Sequence, residues 1–171
     1  MKKYEEFINA LQYVDQGDNK SAYDKLTELI NDNLELENKT LYYDALYARA
    51  SLDIANLNLH IDDSIEDLKI LIANRTRYVK ESYSLATLVY DHLEMPDEVI
   101  EYGTKALELD APFTSEIAYA LAKAYASRGT KSSYLEALKY IDTCIDNADA
   151  SQLHKVTDII GWTAYKSNIW R

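Results

Sequence analysis

Apolar side chains in the segment EVIEYGTKALELDAP, residues 98–112, recur at the spacing of one helix face. Offsets of three, four and seven residues place them on a single buried stripe. They are Val99, Ile100, Tyr102, Ala106, Leu107 and Leu109. The preceding segment SYSLATLVYDHL has a similar pattern, and Pro96 between the two suits a helix start, because a helix leaves its first N–H groups unpaired and proline has none. Residues 81–112 are therefore predicted to form two antiparallel helices joined by a short turn.

The same arrangement returns elsewhere in the chain. Residues 115–148 contain an apolar stripe that ends at Gly129, a polar turn GTKSSY and a second apolar stripe. A further copy at the N-terminus turns at Gly17, and a less regular copy, LYARASLDIANL followed by DDSIEDLKILI, lies between. A small residue recurs at steps of 35 to 40 residues, at Ala10, Ala50, Thr87, Ala122 and Gly161. This recurrence predicts a repeated helix pair whose small residues let neighbouring backbones approach closely.

Composition supports a helical reading of the whole chain. Only 4 Gly and 2 Pro occur among 171 residues, too few for the many tight turns of a sandwich or barrel. Hydrophobic residues make up 47% and charged residues 27%, which is ordinary globular usage. We therefore predict one nearly all-α domain that spans residues 1–171.

The repeat resembles the tetratricopeptide repeat (TPR), a family of helix-pair proteins. The third copy carries the matching positions Tyr83, Ala86, Thr87, Tyr90, Val99 and Pro112. The fourth copy carries Leu121, Ala122, Tyr125, Gly129 and Ala137, and the first carries Ala10, Tyr13, Gly17 and Ala22. The resemblance covers about residues 3–148, although the repeat is longer than the family's period of roughly 34 residues, which leaves other helical-hairpin solenoids open.

The resemblance implies an all-α fold, a right-handed α-solenoid of antiparallel helix pairs. About four TPR-like repeats are expected, at approximately 3–38, 40–76, 80–112 and 115–148, followed by a capping helix at 152–169. That last helix is apolar on more than one side. It carries Val156, Ile159, Ile160, Trp162, Tyr165, Ile169 and Trp170. Either the chain is a fragment of a longer repeat protein, or this end packs on a second copy or a partner.

Charge narrows the choice of partner. The formal net charge of −11 repels phosphate backbones and anionic lipid, so we expect neither nucleic acid nor a membrane as a partner. The N-terminus has acidic residues in its first turns and no long apolar core, unlike a signal peptide. A cytoplasmic protein is expected, and the single cysteine, Cys144, fits a reducing compartment.

The sequence contains no recognisable catalytic or metal-binding pattern. His60, His92 and His154 lie in different parts of the chain, and none has an HxxxH spacing. Cys144 falls on a core-facing position, which predicts a buried small side chain and not a reactive thiol. We expect no enzymatic activity, no cofactor and no metal.

Because no catalytic pattern is found, binding of another protein or peptide is the function that we expect. In such a stack the first helix of each pair lines a concave face, and the resemblance implies that ligand contacts come from there. The implied residues are Phe7, Leu11, Val14, Tyr47, Ser51, Ile54, Ser84, Leu88, Asp91, Tyr119, Lys123 and Ala126. The first two copies are apolar there, which suits an amphipathic helix or an extended apolar peptide. Alternatively, Phe7 and Leu11 close the N-terminal end of the core.

The predicted function is a non-catalytic scaffold or adaptor that binds a protein or peptide of unknown identity. The family's carboxylate-clamp proteins use Lys and Asn on the concave face, and only Lys123 resembles that set. The alternative function is a regulatory sensor whose repeats move when a peptide binds, as part of a larger protein. A third alternative, an enzyme on a helical scaffold, would require a deep pocket with converging polar groups.

Overall fold

The computed structural model describes residues 2–57 and 59–147, and every regular element in these ranges is helical. The helices are α1 (Lys2–Asp15), α2 (Asn19–Leu29), α3 (Glu35–Glu37), α4 (Lys39–Leu52), α5 (Ile61–Ala73), α6 (Val79–His92), α7 (Pro96–Glu108), α8 (Thr114–Ser127) and α9 (Lys131–Asn147). A kinked segment, Ile30–Leu34, follows α2, and a π-helical turn, Asp53–Leu57, follows α4. The prediction of an all-α fold is confirmed for these residues. The predicted helix at 152–169, with Gly161, lies outside the described residues.

Glycine and proline set helix ends where the sequence indicates. Gly17 has a φ of 78° and Gly129 a φ of 70°, left-handed values that end α1 and α8 and that favour glycine. Asp18 then caps α2, since its carboxylate accepts a hydrogen bond from the Ser21 N–H at 3.1 Å. Pro96 is the first residue of α7, as predicted from its missing N–H.

The turn predicted between α8 and α9 is wrong in its length. GTKSSY was expected to form it, whereas α9 begins at Lys131 and includes the rest of that segment. The reason is a local cap. Thr130 Oγ1 accepts from the Ser133 N–H at 3.1 Å, and Ser133 Oγ accepts from the Thr130 N–H at 3.0 Å. This reciprocal pair satisfies two N–H groups and starts the helix early.

The recurring small residues lie in the core, as predicted. Ala10, Ala50, Thr87 and Ala122 are fully buried. Gly103 of α7 shows how close the helices approach, because a Cβ added there would lie 3.0 Å from Thr87 Cγ2 and 3.1 Å from Leu121 Cδ2. The backbone of α7 therefore sits directly against side chains of α6 and α8.

The described helices fall into two compact units, with the boundary between Ser82 and Tyr83. In the first unit, α2 packs on α1 and on α4, and α4 packs on α5. The core of this unit is leucine-rich, with Leu26, Leu34, Leu46, Leu68 and Leu71 almost fully buried. In the second unit, α8 packs on α7 and on α9. A single domain over 1–171 stays a prediction.

The chain kinks between α2 and α4. Asp32 and Asn33 leave the helical region, and Asn33 has a φ of 55°. Asparagine tolerates this left-handed conformation better than most residues. The Lys3 side chain of α1 pairs with Asp32 at the kink, and this contact holds the kink against the N-terminal helix.

Candidate functional site

The second unit contains a cavity of about 610 Å³ that opens between the C-terminal halves of α6 and α8 and the start of α7. We call it the α6–α8 cavity. It is lined by Leu88, Asp91, His92, Glu94, Met95, Pro96, Val99, Lys123, Ala124 and Ser127. Its volume lies within the range of ligand pockets in proteins, roughly 300–1,000 Å³.

Helix geometry and one turn assemble the α6–α8 cavity. Leu88 and Asp91 are three residues apart, so they lie on one side of α6, and Met95 joins them from the turn that follows the helix. Glu94 ends the helix with a φ of 56°, and the Met95 N–H bonds back to the Tyr90 carbonyl at 3.0 Å. Pro96 starts α7 at once, so the turn is short, and Glu94, Met95 and Pro96 all line the cavity.

An ion pair lies at the wall of the cavity. The Lys123 ammonium donates to Asp91 Oδ2 at 2.8 Å, and it lies 5.5 Å from the centroid of the Tyr119 ring. The Lys123 side chain is 41% exposed and that of Asp91 is 23% exposed. Ion pairs this open to solvent contribute about 0–1 kcal/mol, so a ligand can exchange the pair for its own contacts at little cost.

Apolar groups form the rest of the cavity. Val99 and Ala124 are buried beneath it, while Leu88, Met95 and Pro96 are half-buried. His92, Glu94 and Ser127 lie exposed at the rim. An apolar interior with a few polar groups at its edge can hold an aliphatic or aromatic side chain and bond the polar backbone beside it.

Four predicted concave residues are thus neighbours. Leu88, Asp91 and Lys123 line the α6–α8 cavity, and Tyr119 contacts Lys123 from one turn away. Ser84 and Ala126, the other two implied positions of these helices, are buried, and Ser84 Oγ donates to the Pro112 carbonyl at 2.8 Å.

The predicted residues of α4 and its exit have other surroundings. Tyr47 stacks on Tyr78 with 4.2 Å between ring centroids, so one face of its ring is covered. Asp44 Oδ1 accepts from the Tyr78 hydroxyl at 3.0 Å and from Arg77 Nη2 at 2.7 Å. Ser51 is half-buried, and its Oγ is buried without a hydrogen-bond partner. Ile54 is half-buried in the π-helical turn.

The predicted residues of α1, namely Phe7, Leu11 and Val14, are all half-buried. Tyr4 is 58% exposed and Ile8 38% exposed on the same side of the helix, and they widen this apolar stripe. Half-burial fits both expectations for Phe7 and Leu11, a core edge and a contact surface.

A buried polar network in the first unit has no counterpart among the sequence predictions. Arg49 Nε and Nη2 donate to the two carboxylate oxygens of Asp67 at 2.9 and 2.8 Å, and Nη1 donates to Thr27 Oγ1 at 3.2 Å. Burial raises the pKa of the Asp67 carboxyl, and the Arg49 guanidinium opposes that rise. An arginine within the apolar segment LYARASL was the available signal. The network joins α2, α4 and α5 and has a structural role.

A second buried carboxylate, Asp53, holds the start of α5. It accepts from the backbone N–H of His60 at 3.2 Å and from Ser64 Oγ at 3.0 Å. The His60 ring stacks on Tyr23, with 4.2 Å between centroids. Burial, followed by donation of the Tyr23 hydroxyl to Asp63, raises the pKa of this phenol. His60 is thus an exposed residue whose ring stacks on Tyr23 and whose backbone N–H bonds to Asp53.

The other residues that could bind a metal ion or act as a nucleophile do not cluster in the described part of the chain. Within residues 2–57 and 59–147, no three His, Cys, Asp or Glu side chains come together in a group that could hold a metal ion. Cys144 is buried, with its Sγ 3.4 Å from Ser115 Oγ, as expected for a core position. His154 lies outside the described residues. None of the described helices combines the length and the apolar character needed to cross a membrane.

Comparison with known proteins found no match to any protein-family model, to any curated protein or to any solved structure.

Proposed function

We propose that this protein is a non-catalytic module that binds a peptide segment of another protein, and that the α6–α8 cavity is its binding surface. The observation that carries the proposal is the lining of this cavity, about 610 Å³, by Leu88, Asp91 and Lys123. These residues were selected as ligand contacts from the sequence alone. A mixed apolar and polar cavity at the edge of a helix stack is suited to one or two anchor side chains of a peptide.

The proposed fold around the site is a right-handed solenoid of TPR-like helix pairs. Its support is the burial of the recurring small residues and the packing of α8 on both α7 and α9. The expected cytoplasmic location, and the expectation of no nucleic-acid partner, no membrane and no cofactor, stay predictions from charge and motif content. The peptide-responsive sensor stays the alternative.

A library of displayed peptides tests the function. Peptides enriched on the purified chain are expected to lose binding to Ser127→Arg, because Ser127 lies exposed at the cavity rim and an arginine there fills the opening without entering the core. Ser132→Arg is the matched control, since Ser132 is also exposed, on α9, and lies outside the cavity.

Two results would count against the proposal. One is a library in which no peptide is enriched on the folded chain. The other is a set of enriched peptides that bind the two arginine variants equally well, which would move the working surface away from the α6–α8 cavity.

A further inference from the structure

The exposed side of α1 carries a narrow line of side chains at successive offsets of four, three and four residues. We call this line the α1 seam, and it consists of Tyr4, Ile8, Leu11 and Asp15. At 100° per residue all four fall within about 60° of the helix surface. Tyr4 is 58% exposed, Ile8 is 38% exposed, Leu11 is half-buried and Asp15 is exposed. Alternating steps of four and three are the spacing at which one helix packs along another.

The polar groups at the two ends of the α1 seam have no partner. Within the described part of the chain, neither the Tyr4 hydroxyl nor the Asp15 carboxylate takes part in a hydrogen bond or an ion pair. Asp15 also lies at the unfavourable end of its helix, because a helix C-terminus carries partial negative charge and the last turn of α1 contains no basic residue. The seam therefore presents a donor at one end, an acceptor at the other and apolar side chains between them.

The α1 seam is complementary to a reversed copy of itself. When a second α1 runs antiparallel along the first, with the two-fold axis between Ile8 and Leu11, Ile8 of each copy meets Leu11 of the other. The same register places the Tyr4 hydroxyl of each copy opposite the Asp15 carboxylate of the other. Because the contact is symmetric, each of these pairs occurs twice.

Electrostatics favours the antiparallel pair over a parallel one. In the antiparallel pair, Asp15 lies beside the N-terminus of the other α1, where free N–H groups carry partial positive charge. The two Asp15 carboxylates are then separated by about 16 Å along the helix axis, which is the rise between positions 4 and 15. A parallel pair would place these carboxylates side by side and leave both Tyr4 hydroxyls without an acceptor.

The residues that flank the α1 seam fit the same register. On one side the half-buried Phe7 and Val14 of opposite copies meet, which extends the apolar contact. On the other side the exposed Glu5 meets Gln12, whose amide can donate to that carboxylate. Neither flank pairs two carboxylates.

We propose that the α1 seam is the interface of a homodimer in which two α1 helices pack antiparallel. Its centre is the contact of Ile8 with Leu11, and the Tyr4 hydroxyl donates to Asp15 at each end. Since α1 has 14 residues and is about 21 Å long, the interface is small and the dimer is transient. This surface lies in the first unit and does not depend on the function proposed for the α6–α8 cavity.

Equilibrium sedimentation of the purified full chain, at concentrations up to about 1 mM, should show a reversible monomer–dimer equilibrium. Salt at about 0.15 M screens the repulsion between two chains of net charge −11. Ile8→Glu should weaken the dimer at least about tenfold, because two carboxylates then enter the apolar part of the seam. Asn9→Glu is the matched control with the same change of charge, and it should leave the dimer intact. Asn9 is exposed on the same helix, about 130° from the centre of the seam.

A charge exchange tests the antiparallel register. Tyr4→Asp should weaken the dimer about tenfold, because the new carboxylate faces Asp15 of the other copy at both ends. Tyr4→Asp/Asp15→Lys should recover the lost affinity, since an ion pair replaces each repulsion. Positions 4 and 15 of one helix are about 16 Å apart, so this recovery can arise only between copies.

Three results would overturn the proposal. The first is a chain that stays monomeric at every concentration. The second is equal dimerisation of Ile8→Glu and Asn9→Glu, which would move the interface away from the α1 seam. The third is a Tyr4→Asp defect that Asp15→Lys does not repair, which would exclude the antiparallel register. Circular dichroism of each variant checks that its helices are intact.

Discussion

At the scale of single residues, Arg49 and Asp67 matter most for stability in the first unit. Their side chains are 11% and 3% exposed, and the guanidinium bonds both carboxylate oxygens. The desolvation cost of burying two charges offsets much of what such a pair contributes. Loss of one partner should therefore lower the free energy of unfolding strongly, whereas replacement of both partners by apolar residues should change it little.

Removal of one partner tests this view. Arg49→Met leaves Asp67 buried without its counter-charge, and we expect the free energy of unfolding at neutral pH to fall by about 3–5 kcal/mol. The double variant Arg49→Met/Asp67→Leu should recover most of that loss in the same urea titration. A single variant as stable as the parent chain would show that water reaches Asp67 in the folded state.

The pH dependence of Arg49→Met follows from the Asp67 carboxyl. Without the guanidinium, burial alone acts on its pKa and raises it above the unfolded value. A group with a raised folded pKa contributes stability at low pH and loses it as the pH rises through that pKa. The deficit of Arg49→Met relative to the parent chain should therefore shrink toward acidic pH.

At the scale of elements, helix separation in the second unit depends on Gly103. The backbone of α7 approaches Thr87 of α6 and Leu121 of α8, and both of these residues are fully buried. Neither side chain has room to move away, because protein interiors are close-packed. The close approach is therefore a property of three helices together.

Gly103→Ala should destabilise the protein although alanine favours helix. Overpacking costs about 1–3 kcal/mol, against about 1 kcal/mol gained in helix propensity. Adding Thr87→Ser removes the methyl group that a Cβ would meet and keeps the hydroxyl that donates to the Tyr83 carbonyl, so it should restore part of the loss. The melting temperatures of Gly103→Ala and of the double variant test both expectations. Glu101→Ala, on the exposed face of α7, is the control. A higher melting temperature for Gly103→Ala than for the parent chain would contradict this packing.

At the scale of the whole molecule, tyrosines are frequent, and Tyr23, Tyr42, Tyr90 and Tyr134 are buried beside the alanine and leucine side chains of the core. The sequence contains 15 tyrosines. Burial raises the pKa of several phenols above the ordinary value of 10.0 in both units, namely Tyr23, Tyr42, Tyr78, Tyr90 and Tyr125. The folded chain therefore holds these protons more tightly than the unfolded chain does.

Alkaline titration should reveal these tyrosines. Because the folded pKa values are raised, their contribution to stability is complete below the unfolded pKa of about 10 and is lost as the pH rises through the folded values. Phenolate absorbance should rise in two stages. The exposed tyrosines should ionise near the pKa of a free phenol, and the buried tyrosines should ionise at higher pH as helicity is lost. A single transition at the free value with unchanged circular dichroism would contradict the burial of these rings.

Local patterns determined the helices well. Apolar spacing, Gly17, Gly129 and Pro96 fixed the helix type and several ends, because these effects act within one or two turns of chain. The start of α9 was missed since Thr130 and Ser133 cap each other, and a polar stretch alone does not distinguish a loop from a capped first turn. The recurring small residues were recognised as core positions for the same local reason.

The sequence by itself determined the helical class of the described residues and the buried small positions Ala10, Ala50, Thr87 and Ala122. Only the tertiary structure decided which predicted contacts are neighbours. It joined Leu88, Asp91 and Lys123 in one cavity, covered a face of Tyr47 with Tyr78, and paired Arg49 with Asp67. Periodicity places a residue on a face of its own helix, whereas a cavity or a buried ion pair depends on how separate helices pack, and that packing is set by side-chain shapes far apart in sequence.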